Sequence, residues 1–275
     1  MSPIVLSTVA TRNCYKEFLL TKYSLEQYHD CLWYVSCDDY THKKISHIDN
    51  VEAVAMVDSD ECDHNSTNQL MRDTFLKVIL TKFDISLKAI KEHGSVLFLD
   101  SDMLFVNGFE DRVINIINDR NLDAIISQHM TNNWQNEAHH GYFNVGMFLL
   151  RNTEMIDQWR FLSENHKQLN MYYEQKPLEY VQRNYITANF PINYNIGWWR
   201  FNESHTRSRL DKVCLKDNKI YFGDKHAVNF HLHLLKDSQI NHGKFLMDKI
   251  FDLMQHSNNN KYREFLTYFD EVTNE

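Results

Sequence analysis

Ser95-Val96-Leu97-Phe98-Leu99-Asp100-Ser101-Asp102 decides the fold. Its first five residues form a run apolar enough for a strand buried on both faces, as in a parallel sheet. Gly94 precedes the run and closes a predicted helix over 69–92, where Phe75, Ile79, Phe83, Leu87 and Ile90 recur at helical period. Further upstream, strands are predicted at 4–9, 32–36 and 51–57, with a helix at 14–28. Strands alternating with helices argue for a parallel sheet covered on both faces. In such sheets ligands bind beyond the carboxyl ends of the strands, which is where Asp100 and Asp102 fall.

Downstream the order is less regular. Helices are predicted at 109–120, 153–169 and 177–189, and strands at 142–150 and 227–234. From about 240 the pattern becomes two amphipathic helices split by Ser257-Asn258-Asn259-Asn260. The reading is one domain over 1–240, with a C-terminal helical extension over 241–275 packed on it.

Composition removes several classes. With 7 Gly and 3 Pro in 275 residues, no G-x-G-x-x-G or G-x-x-x-x-G-K-[ST] can be written, so dinucleotide and P-loop phosphate cradles are excluded. G-x-S-x-G and H-E-x-x-H are absent too. Lys and Arg total 29 against 37 Asp and Glu, a net charge of −8 that gives no global attraction to nucleic acid or anionic membrane. Cys14, Cys31, Cys37, Cys62 and Cys214 are odd in number and lack C-x-x-C spacing, as reduced thiols would. No apolar run approaches a membrane span, and Pro3-Ile4-Val5-Leu6 has no basic segment before it. The expectation is a cytoplasmic protein.

Asp100 and Asp102 are alternate residues of an extended segment, so both carboxylates face one side of the strand tip. Two carboxylates there make a hard-oxygen site for Mn²⁺ or Mg²⁺ that leaves positions open for phosphates. A second copy, Asp58-Ser59-Asp60, runs into Glu61, Asp63 and His64 and reads as a solvated loop. The first is followed by Met103-Leu104-Phe105-Val106, where the chain stays buried. Two enzyme classes place such a pair after an apolar strand. Aspartyl phosphatases or phosphotransferases would use Asp100 as nucleophile, and nucleotide-sugar glycosyltransferases hold a metal on the donor diphosphate.

Leu80-Thr81-Lys82-Phe83 through Leu104 resembles the glycogenin-like GT-A glycosyltransferases, with their T-K-L helix, apolar strand and D-x-D. Other segments follow in family order. Phe143-Asn144-Val145-Gly146 is similar to F-N-S-G, Glu179 and Asn184 keep the spacing of a D-Q-x-x-L-N helix, and Asn193-Tyr194-Asn195 resembles a Y-N segment. Val228-Asn229-Phe230-His231 resembles the V-H-F strand that brings a metal-binding His, and Thr8, Thr11 and Tyr15 a T-T-x-x-x-Y nucleoside segment. In this register the family Gln, which the resemblance associates with retaining transfer, becomes Tyr180, Glu179 would be the general base if transfer inverts, and Asn229 stands at the His position.

The resemblance implies a GT-A-like α/β fold, a mostly parallel sheet flanked by helices. It also implies a hexosyl- or pentosyltransferase acting from a nucleotide-diphosphate sugar, UDP-sugar favoured, with Mn²⁺ or Mg²⁺. Asp100, Asp102 and His231 are the expected metal ligands, with His233 and Asn229 as substitutes. Thr8, Thr11, Tyr15, Lys82, Asp100 and Ser101 are expected to bind donor, Arg72 being a substitute for Lys82, and Glu179 and Asn144 to serve catalysis. Trp198-Trp199-Arg200, with His205, Arg207, Arg209 and Lys212, suggests an acceptor platform for a glycan or a nucleic-acid base, and the acceptors open to this architecture are a saccharide, a glycolipid or a modified DNA base. A non-catalytic nucleotide-sugar-binding protein is the remaining alternative.

Overall fold

In the computed structural model, which describes residues 3–57, 69–131, 134–201, 207–235 and 243–274, the apolar run becomes a strand buried on both faces. The chain begins β1 (Ile4–Ala10), α1 (Tyr15–Glu26), β2 (Cys31–Asp38), α2 (Asp39–Ile45), β3 (Val51–Val57) and α3 (Gln69–His93). It continues with β4 (Val96–Leu99), β5 (Met103–Phe105), α4 (Asp111–Asn118), β6 (Ala124–Gln128), α5 (Trp134–His140), β7 (Phe143–Leu150), α6 (Thr153–Glu164) and α7 (Gln175–Val181). Five short strands follow: β8 (Thr187–Asn189), β9 (Ile196–Gly197), β10 (Val213–Lys216), β11 (Lys219–Phe222) and β12 (Lys225–His226). The last elements are β13 (Asn229–His231), α8 (Lys244–Gln255) and α9 (Asn260–Asn274).

The central sheet has the order β3-β2-β1-β4-β7-β6-β8. Every neighbouring pair is parallel except those of β7, which runs against both β4 and β6. Leu97 and Leu99 pack on one face with Leu6, Trp33, Phe18 of α1 and Val113 of α4. Val96 and Phe98 pack on the other with Phe83 of α3, Trp159 of α6 and Leu178 of α7. That two-sided burial explains why β4 is apolar at every position. Ser7 Oγ to Ser86 Oγ at 3.0 Å and Ser36 Oγ to Thr81 Oγ1 at 2.8 Å satisfy the polar atoms where α3 lies on β1 and β2.

A smaller sheet, β5-β13-β9, sits beyond the β4 end. Its antiparallel pair sets His231 opposite Met103 and Asn229 opposite Phe105. A separate hydrophobic cluster joins it to the C-terminal helices through Leu104, Phe230, Ile250, Tyr262 and Phe265. Strands β10 to β12 form an antiparallel meander beside it.

Two predicted elements change. The helix expected over 177–189 stops at Val181, passes through a 3-10 turn at Gln182–Asn184, and becomes β8. The open edge of β6 captures the segment: Ala124 pairs with Thr187, and the Asp123 carboxylate accepts from Ile186 N at 2.8 Å. The strand expected over 227–234 contracts to β13, because the chain turns at His233 with φ +52°.

Candidate active site

The acidic pair is held from three sides. Asp100 N donates to Gly146 O of β7 at 2.7 Å. Thr21 Oγ1 lies 2.7 Å from Ser101 O and 2.8 Å from Met103 O, and accepts from Met103 N at 3.0 Å. Leu232 N donates to Asp102 O at 3.1 Å, which carries the ladder of β13 past the acidic pair.

That ladder delivers two imidazoles. His231 Nε2 lies 3.0 Å from Asp102 Oδ1 and 3.8 Å from Asp100 Oδ2, and His233 Nδ1 meets Asp102 Oδ2. Asp102, His231 and His233 each offer one ligand atom, all within 4.8 Å of one another. Burial alone would raise the Asp102 carboxyl, but the two imidazoles hold it well below the usual range. Asp100 is raised, chiefly by desolvation, against the pull of Lys82 and His231.

The group fits a divalent cation on two grounds. Carboxylate and imidazole converge as ligands do, and Gly146 keeps the space between them open. A Cβ at Gly146 would lie 2.7 Å from His231 Cε1 and 2.8 Å from Asp100 Oδ2. The glycine of the F-N-x-G segment is therefore what lets β7 pass so close.

Beside the group lies a buried ion pair, Lys82 Nζ to Glu174 Oε1 at 2.9 Å, with side chains 4% and 9% exposed. Desolvation works against the Lys82 charge, but Glu174 and Asp100 outweigh it and raise the ammonium's pKa. Trp159 Nε1 donates to Glu174 O at 2.7 Å and fixes the start of α7. Glu174 was not among the expected residues. The signal for it was present: Glu174-Gln175-Lys176-Pro177-Leu178 fits D-Q-x-x-L five residues before the register chosen on Glu179 and Asn184. Gln175 Oε1 is buried and has no hydrogen-bond partner among the described residues.

The other expected residues separate into two groups. Asn144 Oδ1 accepts from Gly146 N at 2.9 Å and from Asn195 Nδ2 at 2.7 Å, and Asn195 Oδ1 lies 3.3 Å from His231 Nδ1. Asn144 thus reaches the metal-type group through Asn195. Asn229, at the position expected for a His, accepts from Asn195 N at 3.1 Å. Glu179 instead accepts from Tyr142 N and pairs with Lys176 Nζ at 2.8 Å. No described contact joins Glu179 to the acidic pair.

Thr8, Thr11 and Tyr15 lie at and just beyond the carboxyl end of β1. Thr8 is fully buried with its hydroxyl unpartnered among the described residues, Thr11 N donates to Cys14 Sγ at 3.2 Å, and Tyr15 packs edge-on against Tyr40. Burial pushes the Cys14 thiol up to about 11, partly offset by its hydrogen bonds to Ser101 and Thr11.

The Trp198-Trp199-Arg200 stretch is more interior than an open platform. Arg200 is 4% exposed and donates to the carbonyls of Ile192 and Asn195 at 2.8 and 3.0 Å. The Trp199 ring folds over Gly197 and stands edge-on to His231, 5.2 Å between centroids. Asp58-Ser59-Asp60, His205 and the side chains of Arg72 and Arg207 lie outside the described residues.

No curated protein sequence matches the chain. The galactosyltransferase LgtC, solved with donor and acceptor sugar analogues, superposes with a TM-score of 0.54 at 12% identity, covering 95% of this chain and 100% of that one. The glycosyltransferase GlyE of Streptococcus pneumoniae TIGR4 superposes at 0.59 and 13% identity, over 98% of this chain and 64% of its own. Mouse xyloside xylosyltransferase 1 gives 0.50 at 10% identity, over 83% and 97%. These likenesses establish the GT-A fold. The sequence model of the nucleotide-diphospho-sugar transferases matches residues 28–262, a span that takes in the acidic pair, Glu174 and both imidazoles, and the chain belongs to that family.

Proposed function

We propose that the chain transfers a sugar from a nucleoside-diphosphate donor, UDP-sugar favoured, to an acceptor hydroxyl, with Mn²⁺ held by Asp102, His231 and His233 and flanked by Asp100. The observation that carries this reading is the convergence of one carboxylate and two imidazoles at the tip of β4. Two nitrogen donors count against Mg²⁺, which prefers an all-oxygen shell. A bound metal supplies positive charge to the leaving diphosphate. Family membership favours transfer over the aspartyl-phosphatase alternative.

The chain's own residues do the rest. Thr8, Thr11 and Tyr15 receive the nucleoside beyond β1, and Ser101 lies between the two carboxylates that orient the donor. Lys82 keeps its charge through Glu174 and Asp100 and adds a second cation near the phosphates. Glu174-Gln175 supplies the acid–amide pair that the resemblance associates with retaining transfer, and the buried unpartnered Gln175 Oε1 supports that choice over Tyr180. Glu179 remains the candidate base of an inverting reaction. The acceptor is a saccharide, glycolipid or modified DNA base that meets the edge of Trp199 beside His231. Among the described residues no helix is long and apolar enough to cross a membrane. We place the activity in the cytoplasm.

The test is donor hydrolysis across a panel of nucleotide sugars with Mn²⁺, beside EDTA and Asp102→Asn controls. Release of one nucleotide, lost with EDTA and in the variant, is expected. Silence across the panel with turnover of p-nitrophenyl phosphate would return the assignment to a phosphatase.

A further inference from the structure

Asn195 is buried, lies outside the metal-type group and has every polar atom engaged. Its N–H donates to Asn229 Oδ1 at 3.1 Å and its carbonyl accepts from Arg200 Nη2 at 3.0 Å. Its side-chain amide bridges Asn144 Oδ1 at 2.7 Å and His231 Nδ1 at 3.3 Å. Its backbone is left-handed, φ +46°, a conformation that asparagine tolerates better than most side chains.

The direction of these bonds follows from one fixed donor. Gly146 N–H can only donate, so the atom of Asn144 that meets it is the oxygen. The same oxygen meets the Asn195 amide, which must therefore offer its NH₂. Asn195 then turns its own oxygen to His231, and since that oxygen carries no proton, the proton of the contact belongs to Nδ1. His231 Nε2 is the nitrogen that faces Asp102 Oδ1 at 3.0 Å and Asp100 Oδ2 at 3.8 Å, and a cation bound there would take the place of the proton it shares with Asp102.

We infer that Asn195 is a positioning residue that keeps a proton on His231 Nδ1, so that Nε2 is the nitrogen presented to the acidic pair as a ligand. The ligand role rests on the metal reading above; the position of the proton does not. Outer partners of this kind typically change metal affinity 10- to 100-fold.

The test uses the full chain labelled with ¹⁵N-histidine, with the His231 signals assigned by their absence in His231→Gln. In wild type, with and without Zn²⁺, the long-range ¹H–¹⁵N pattern should show a protonated Nδ1. A neutral His231 with its proton on Nε2 would overturn the inference. Asn195→Gly, which suits the left-handed backbone, should bind Mn²⁺ about 10- to 100-fold more weakly by electron paramagnetic resonance titration. Wild-type affinity in a folded Asn195→Gly would also overturn it. Should that variant not fold, Asn144→Ala, which frees the Asn195 amide to turn, carries the same expectation. Failure of wild type to bind Mn²⁺ would instead count against the metal reading, and the proton on metal-free His231 would still decide the role of Asn195.

Discussion

Gly146 shows how little room the site leaves. An added methyl would sit 2.9 Å from His231 Nδ1 and closer still to His231 Cε1 and Asp100 Oδ2, and β7 cannot retreat because its neighbours on both sides are paired strands. Gly146→Ala should therefore lower Mn²⁺ affinity at least about 10-fold, on the scale seen when the surroundings of a metal ligand are disturbed. A melting curve run alongside the titration separates this from loss of fold, and unchanged affinity would remove Gly146 from the site. At this scale the sequence is uneven in what it yields. Asp100 and Asp102 were legible because the apolar run before them fixed both strand and direction. Glu174 was missed although Glu174-Gln175-Lys176-Pro177-Leu178 carries the D-Q-x-x-L pattern, because Glu179 and Asn184 offered a competing register, and its contact with Lys82 distinguishes it from Glu179. His233 could be named as a substitute because it alternates with His231. Its union with Asp102 depends on a left-handed turn that residue spacing does not encode.

Tyr262 of α9 joins elements that are far apart in the chain. Its hydroxyl donates to Val106 O at 2.9 Å and accepts from Ile220 N at 3.1 Å, with the ring buried in the C-terminal cluster. Tyr262→Phe keeps the packing and leaves a buried N–H unpaired. It should cost about 1–3 kcal/mol in urea unfolding, and a loss below a few tenths would mean that water replaces the hydroxyl. The docking of α9 is reinforced by Tyr23 stacked on Tyr268, ring centroids 4.1 Å apart. Long elements with a strong period were readable: β1, β3, α3 and β7 lie close to where the apolar spacing puts them. Elements of two to four residues, such as β8 to β12, are too short to show a period, and they exist because a neighbouring strand offers an open edge. The predicted helix over 177–189 was lost to such an edge.

For the molecule as a whole, acid is the weak side. Burial lowers the pKa of His129 to about 4 and depresses His29, His140 and His166 in the same direction. A histidine that takes its proton less readily when folded contributes stability that is complete above the unfolded value, near 6.5, and is lost as pH falls toward the folded value. For His129 the full difference is about 3 kcal/mol. Stability should fall steadily from pH 7 to pH 5 in urea titrations, and His129→Gln should flatten the slope. A stability independent of pH across that window would mean that these rings are hydrated in solution. The overall charge, by contrast, supports only statements about solubility.

The ladder between Met103 and His231 also bears on how the protein is made. Among the described residues, strand β5 finds its only sheet partner in β13, a segment synthesised much later. Until then Met103-Leu104-Phe105, apolar at each position, presents an unpaired strand edge to its surroundings. A growing chain halted between these two points would hold both aspartates and no site, together with an exposed edge prone to association. Slow translation across this interval therefore carries the risk of aggregation, and chaperones that cover strand edges would act there.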